Sequence, residues 1–394
     1  VDTGVDFSNP DIQHSLARDK SNYPIMLDPD GQGIILTNST FYANISQYDV
    51  LQNYTKPLSD NMTSTAYLTR DGAFLDISQG GVGTTIQVYN SLFPQFGNSI
   101  IFNGTLSNDM KIGNDHRDFI KSKSGVYHLG VMYQGALQIS SKIQVVPVLV
   151  VDSDVAGVYD TVIPDLSSSW EDYTKDDLKN NEKPNFDFDF TDEVPIQLGS
   201  GNEFLVFDSN NDGKNDFSAG TIGAQVLDVY GVIKNNSTVI DDSLNAINGT
   251  LLPALDPNGN FFGVMTDFMG HGTSSAASIT SRGLESYDIY NNTKKYSIIG
   301  VAPDAKILPV KALWFGDTVY GWLWAAGFEN DDNTWKFSGK PKADIISNSW
   351  GISNFPSFNS SPGMDILSLI LSVLSTPHSL HDDYPGITII SSAG

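Results

Sequence analysis

Two short stretches hold residue types that do acid–base chemistry. Asp2-Thr3-Gly4-Val5-Asp6, followed by Asn9-Pro10-Asp11-Ile12, places a carboxylate at an expected strand end, where Gly4 permits a tight turn. The same triplet is an ordinary Asp-led turn in many proteins, and Asp-Thr-Gly also occurs in aspartic peptidases. The second stretch is Gly270-His271-Gly272-Thr273-Ser274-Ser275-Ala276-Ala277, where glycines flank a histidine and small residues open a helix. Imidazole titrates near neutrality, so a histidine at such a helix start suits a general base. It then needs a nucleophile and an orienting carboxylate within hydrogen-bond reach. A solvent-facing histidine beside a helix cap has the same local sequence.

Two further motifs fall at expected strand ends: Gly300-Val-Ala-Pro-Asp-Ala-Lys-Ile-Leu-Pro-Val-Lys311 and Ser347-Asn348-Ser349-Trp350-Gly351. In their order and spelling the four motifs resemble the subtilisin-like serine peptidases. Ile387-Thr-Ile-Ile-Ser-Ser-Ala-Gly394 is similar to the strand that leads to that family's oxyanion-hole asparagine. The resemblance covers about Val1 to Asp19 and about Gly263 to Gly394, and more loosely the Asp-rich stretch between. It implies a secreted endopeptidase that hydrolyses polypeptides with an Asp-His-Ser triad through an acyl-enzyme. Asp2 would hold the imidazole of His271 and stabilise its cation, and His271 would carry the nucleophile's proton to the leaving amine. Ser347, Asn348, Ser349, Trp350 and Gly351 would bind substrate, with the last three offering a backbone edge to an extended chain.

The sequence departs from the family in two ways. Asp2 and His271 are far apart along the chain, as in the pyrolysin and tripeptidyl-peptidase-II branch, which this insert resembles. Neither an oxyanion asparagine nor a Gly-Thr-Ser-Met-Ala-x-Pro nucleophile segment is present. Gly272 to Ala277 imitates that segment, but His271 precedes it and Ser278 stands where proline belongs, so Ser274 is a helix-start residue. Val1 and Gly394 both interrupt motifs, which marks the sequence as a fragment. The serine is expected from the remainder of the same polypeptide or from a second, processed chain.

The elements that must position these residues form an α/β fold. It is expected to be a subtilisin-like parallel sheet with helices on both faces, interrupted by a β-rich inserted domain. Residues 1–22 begin the peptidase domain, and 23–147 are short strands between Gly, Asn, Asp and Pro, read as the insert. Residues 148–262 form an Asp-rich return segment, in which the alternation of 185–190 predicts an edge strand. From 263 to 394 strands alternate with helices: a helix after His271, strand 306–311, a Trp-rich helix over 320–328, strand 343–347, helix 364–374 and strand 387–391. Trp314, Trp322, Trp324 and Trp335 could line a substrate cleft, while helical spacing makes the core the expectation for most of them.

Asp208, Asn210, Asp212 and Asp216, with Gly213 between, have the spacing of a loop that wraps oxygens around calcium. Ala219 stands where that loop needs its last carboxylate, so an Asx-rich turn without an ion fits equally. Asp187, Asp189, Asp192 and Glu193 could form a second cation site, with a solvated acidic face as the first reading. No organic cofactor is expected.

The balance of 46 acidic against 22 basic residues gives a net charge of −24, which makes nucleic acid an unfavourable partner. Cysteine is absent, so thiol catalysis and zinc–thiolate sites are excluded. Asn-x-Ser/Thr sequons start at Asn38, Asn44, Asn53, Asn61, Asn103, Asn235, Asn236, Asn248, Asn291 and Asn359. Together with the acidity they point to an extracellular or cell-surface glycoprotein. The rival reading is a glycosylated surface or filament protein that keeps the fold without turnover.

Overall fold

The computed structural model describes residues 1–31, 33–37, 39–42, 66–69, 72–76, 85–87, 99–101, 109–115, 118–135, 142–166, 172–174, 187–207, 212, 217–228, 250–267, 269–288, 294–312, 315–331, 334–351 and 366–392. Among them the helices are α1 (Pro10–Gln13), α2 (His271–Thr280), α3 (Phe315–Ala325) and α4 (Ile366–Ser375). None of them is long and apolar enough to cross a membrane.

A parallel array carries Asp2. Strand Leu27–Asp28 pairs in parallel with Gln225–Asp228, while single bridges join Leu27 to Val310 and Asp2 to Lys311. The Val1 nitrogen donates to the Ser347 carbonyl at 2.8 Å, and Ile345–Asn348 pairs in parallel with Thr388–Ser391. The spatial order is therefore 225–228, 27–28, 307–311, the Asp2 segment, 345–348 and 388–391. Side chains alternate in direction along a strand, so neighbours go to different cores. Leu27 packs with Val310, Ile346, Tyr320, Trp322 and Trp324, with Leu374 of α4 in the same cluster. Met26 joins Val5, Ile12 of α1 and Ala276 of α2.

The helix expected over 320–328 runs instead from Phe315 to Ala325. Gly327, at φ +88°, stops it: a Cβ there would also lie 2.2 Å from the Lys340 carbonyl oxygen. Beyond this stop, Phe328–Asp331 turns back as a hairpin with Thr334–Phe337. Trp322 and Trp324 are buried and Trp335 packs on the same cluster, as helical spacing suggested; Trp314 lies outside the described residues.

The rest is antiparallel. One sheet has Ile196–Gln197, Thr161–Pro164, Lys142–Val151, Val126–Gly135 and Ser39–Tyr42 in that order, with Asp172–Thr174 on the edge of Lys142–Val151. A second runs Phe204–Phe207, Phe217–Ile222, Phe261–Met265, Ile34–Leu36. One apolar cluster draws Val146, Val148, Val150 and Val162 from the first and Leu205, Ile222, Phe262 and Val264 from the second. Burial of these β-branched faces against each other is the dominant stabilisation of such a pair.

The continuous apolar run 145–151 makes one strand that passes through position 147, and strand Phe261–Met265 passes through position 263. The edge strand expected over 185–190 is, among its described residues 187–190, a single bridge from Asp189 to Lys111. Phe188, at φ +54°, breaks the extended path, although Phe188 and Phe190 are buried and Asp187 is exposed as the alternation required.

Candidate active site

Asp2 and His271, 269 positions apart, meet: His271 Nδ1 lies 2.7 Å from Asp2 Oδ1. A carboxylate can only accept here, so Nδ1 carries the proton and Nε2 is the nitrogen left for proton transfer. The His271 side chain is 51% exposed and that of Asp2 only 12%. The bond to Asp2 and its negative charge raise the His271 pKa above the ordinary imidazole value.

Two backbones in contact make this meeting possible. A Cβ on Gly272 would lie 2.0 Å from the Gly4 carbonyl oxygen and 3.1 Å from Asp2 Cβ, so only glycine lets α2 come this close to the Asp2 segment. Asp2 itself is fixed in the sheet by its N–H to the Val310 carbonyl at 3.0 Å and its carbonyl to the Ala312 N–H at 2.9 Å.

Asp267, which no motif singled out, holds the start of α2. Gly270 caps that helix without a side chain. The Asp267 carboxylate accepts instead from Gly270 N–H at 3.0 Å, Thr273 N–H at 2.7 Å and Thr273 Oγ1 at 2.6 Å. It also accepts from Thr3 Oγ1 at 2.7 Å, and Thr3 Oγ1 in turn takes the Gly272 N–H at 2.9 Å. One carboxylate thereby ties the residue after Asp2 to the residue after His271. Asp267 stands three residues before the Gly270 cap, outside the position where a capping side chain is expected. Asp267→Ala strands these donors and is expected to cost about 2 kcal/mol of folding stability, measured by denaturant unfolding of the full-length protein.

The strands beside Asp2 bury a group of ionisable side chains. Asp28, Asp30, Asp317 and Lys311 are all at most 3% exposed, and Lys311 Nζ donates to Thr266 Oγ1 at 3.0 Å. Burial pushes the Asp28 pKa up to about 7 against the pull of Lys311. Burial and the neighbouring Asp30, with which it shares a hydrogen bond, raise Asp317 as well. Both carboxyls hold protons in the folded state that the unfolded chain releases above its ordinary value of 3.8. Stability therefore falls as pH rises from about 4 through about 7. The melting temperature of the full-length protein is expected to be higher at pH 4.5 than at pH 7.5, with the difference smaller in Asp28→Asn.

Residues 347–351 end the strand Ile345–Asn348 beside Asp2 and continue past it. The Ser347 carbonyl is taken by Val1 and the Asn348 carbonyl by Ser392 N–H at 3.0 Å. Asn348 is buried and its Oδ1 accepts from Trp322 Nε1 at 3.0 Å. Trp350 stacks on Trp322 at 6.1 Å and donates from Nε1 to the Val1 carbonyl at 3.1 Å. Gly351 is exposed with nothing within 4 Å of a Cβ built on it, and Ser349 lies between, half-buried.

Among the described residues, the other sequence candidates are not brought to this site. Of Asp208, Asn210, Asp212 and Asp216 only Asp212 is described, and it is exposed; the ten sequon asparagines all lie outside the described residues. Asp189 bonds Lys111 Nζ at 2.7 Å and Glu193 accepts from Leu166 N–H at 2.6 Å. No group of three or more metal-binding side chains is arranged around an ion among the described residues.

An acid at a parallel-strand end that holds the Nδ1 of a helix-start histidine leaves Nε2 able to take and return a proton, the geometry a general base needs. Residues 254–394 match the sequence model of the subtilase family, Peptidase_S8, and the chain is subtilisin-like over that stretch. The family is one of serine peptidases acting on polypeptides. No curated protein and no solved structure matches the chain.

Proposed function

We propose that this chain supplies the acid and the base of a secreted subtilisin-like serine endopeptidase of the pyrolysin and tripeptidyl-peptidase-II type. The 2.7 Å contact between His271 Nδ1 and Asp2 Oδ1 carries the reading, since it fixes which imidazole nitrogen can work. A serine hydroxyl gives its proton to Nε2 as its oxygen bonds the scissile carbonyl carbon. Asp2 stabilises the imidazolium so formed. Collapse of the tetrahedral intermediate breaks the C–N bond, the Nε2 proton leaves with the amine, and an acyl-enzyme remains. Water then repeats the cycle, giving its proton to Nε2 and restoring the serine.

In this proposal the serine comes from the remainder of the polypeptide or from a second processed chain. Helices α3 and α4 lie on one face of the parallel array and α1 and α2 on the other, as the separate clusters around Leu27 and Met26 support. The edge after Ser349 receives the substrate strand. The β-rich insert read over 23–147 flanks the cleft. The sequons support secretion and glycosylation, and the spacing of Asp208, Asn210, Asp212 and Asp216 supports calcium in that loop.

The test is incubation of full-length protein with a denatured polypeptide, with new N-termini mapped by mass spectrometry. Internal cleavage that depends on Asp2 supports the proposal. Intact substrate with folded protein favours a glycosylated surface or filament protein instead.

A further inference from the structure

Ser275 belongs to the small-residue run that imitates a nucleophile segment, yet its hydroxyl has another task. It lies four residues after His271 in α2, and on a helix positions i and i+4 share a face. Because Gly272 lets that face rest on the Gly4 backbone, Ser275 reaches the same carboxylate as His271. Its Oγ donates to Asp2 Oδ2 at 3.2 Å. The other oxygen, Oδ1, already accepts from Thr3 N–H at 2.8 Å and from His271 Nδ1 at 2.7 Å.

The torsion that turns an aspartate carboxylate about its own axis is broad and weakly restrained. Donors on Oδ1 alone locate that atom and leave the carboxylate plane to swing about it. A donor on Oδ2 removes that freedom, and the plane then presents Oδ1 steadily to the imidazole. We infer that Ser275 is a positioning residue of this site, setting the orientation and charge of Asp2 through its second carboxylate oxygen. The inference rests on the reading of Asp2 and His271 as acid and base. Ser275 acts on the acid, on the Nδ1 side of the ring, and so is not itself the attacking hydroxyl.

Its removal has a directional consequence. Without the hydroxyl, the negative charge at Oδ2 is no longer shared with a donor, and the carboxylate draws the imidazolium proton more strongly. His271 then keeps its proton to higher pH, and the free base becomes available later.

The experiment uses full-length protein labelled with ¹³C-histidine, comparing wild type, Ser275→Ala and Ser275→Thr. His271 is titrated by NMR, and kcat/KM for a peptide is followed against pH. In Ser275→Ala the His271 midpoint and the acid limb of kcat/KM are both expected to move up by about half a pH unit. kcat is expected to fall about fivefold with KM unchanged, and Ser275→Thr to restore both readouts. If Ser275→Ala fails to fold, Ser275→Cys, which keeps the shape with a weaker donor, is expected to shift the midpoint in the same direction. A midpoint and acid limb identical to wild type in a folded variant would overturn the inference while leaving the peptidase reading intact. A wild type that hydrolyses no peptide overturns the peptidase reading, and the NMR midpoint then decides separately whether Ser275 tunes the Asp2–His271 pair.

Discussion

His271→Ala in the full-length protein is expected to lower kcat/KM for a polypeptide on the order of a millionfold while leaving the fold and melting behaviour close to wild type. The size follows from what the ring does. Nδ1 is committed to Asp2 at 2.7 Å, so the entire proton traffic between nucleophile and leaving amine runs through one remaining nitrogen. Among the described residues the neighbours of the pair do not replace it: Ser275 and Thr3 bond the carboxylate and not the site of proton transfer. The small structural effect follows from exposure, since a half-exposed side chain buries little apolar area. Steady-state kinetics beside a thermal melt separate the two. A loss of less than about a hundredfold would mean that the histidine is not the base.

Gly272→Ala is expected to disrupt the structure around the site. Its Cβ would lie 2.0 Å from a backbone oxygen, far inside van der Waals contact, and neither partner is a flexible side-chain end. To relieve the overlap α2 must lift from the Gly4 segment, which pulls His271 away from Asp2 and breaks the bond from Gly272 N–H to Thr3. A stability loss of about 3 kcal/mol or more and a collapse of activity are expected together. Chemical denaturation beside kinetics checks this. Wild-type stability with lost activity would mean that the contact serves chemistry alone, and full activity would contradict the packing described.

How much of this was legible follows from the range of each signal. Asp2 and His271 could be found because each sits in a motif of three to eight consecutive residues whose local geometry is set by glycine. That they touch was not legible in any spacing, because the 269-position separation between them spans two sheets packed on each other. Asp267 and Ser275 were missed for a related reason. A side chain that caps a helix and also bonds the residue after Asp2, or a serine that reaches a carboxylate from another element, looks in sequence like any polar residue near a helix start. Their roles exist only once Gly4 and Gly272 are in contact.

The strands around 345 and 388 followed from apolar runs, which bury well in a parallel sheet, whereas the strand expected over 306–311 is reduced to single bridges at Ile307, Val310 and Lys311. The Trp-rich helix was placed too late in sequence because its aromatic pattern continues past Gly327 into a hairpin, where Phe328 and Phe337 pack against each other. The alternation at 185–190 gave the correct burial of Phe188 and Phe190, yet the left-handed Phe188 breaks the strand that alternation predicts. Period-two burial does not by itself require a strand.

The most direct test of the central claim is labelling of the native full-length protein with a fluorophosphonate probe, with the adduct located by mass spectrometry and His271→Ala as control. The account predicts one adduct, on a serine other than Ser274 and Ser275, that disappears in the control. Folded protein that takes up no probe, or takes it up equally without His271, would contradict it.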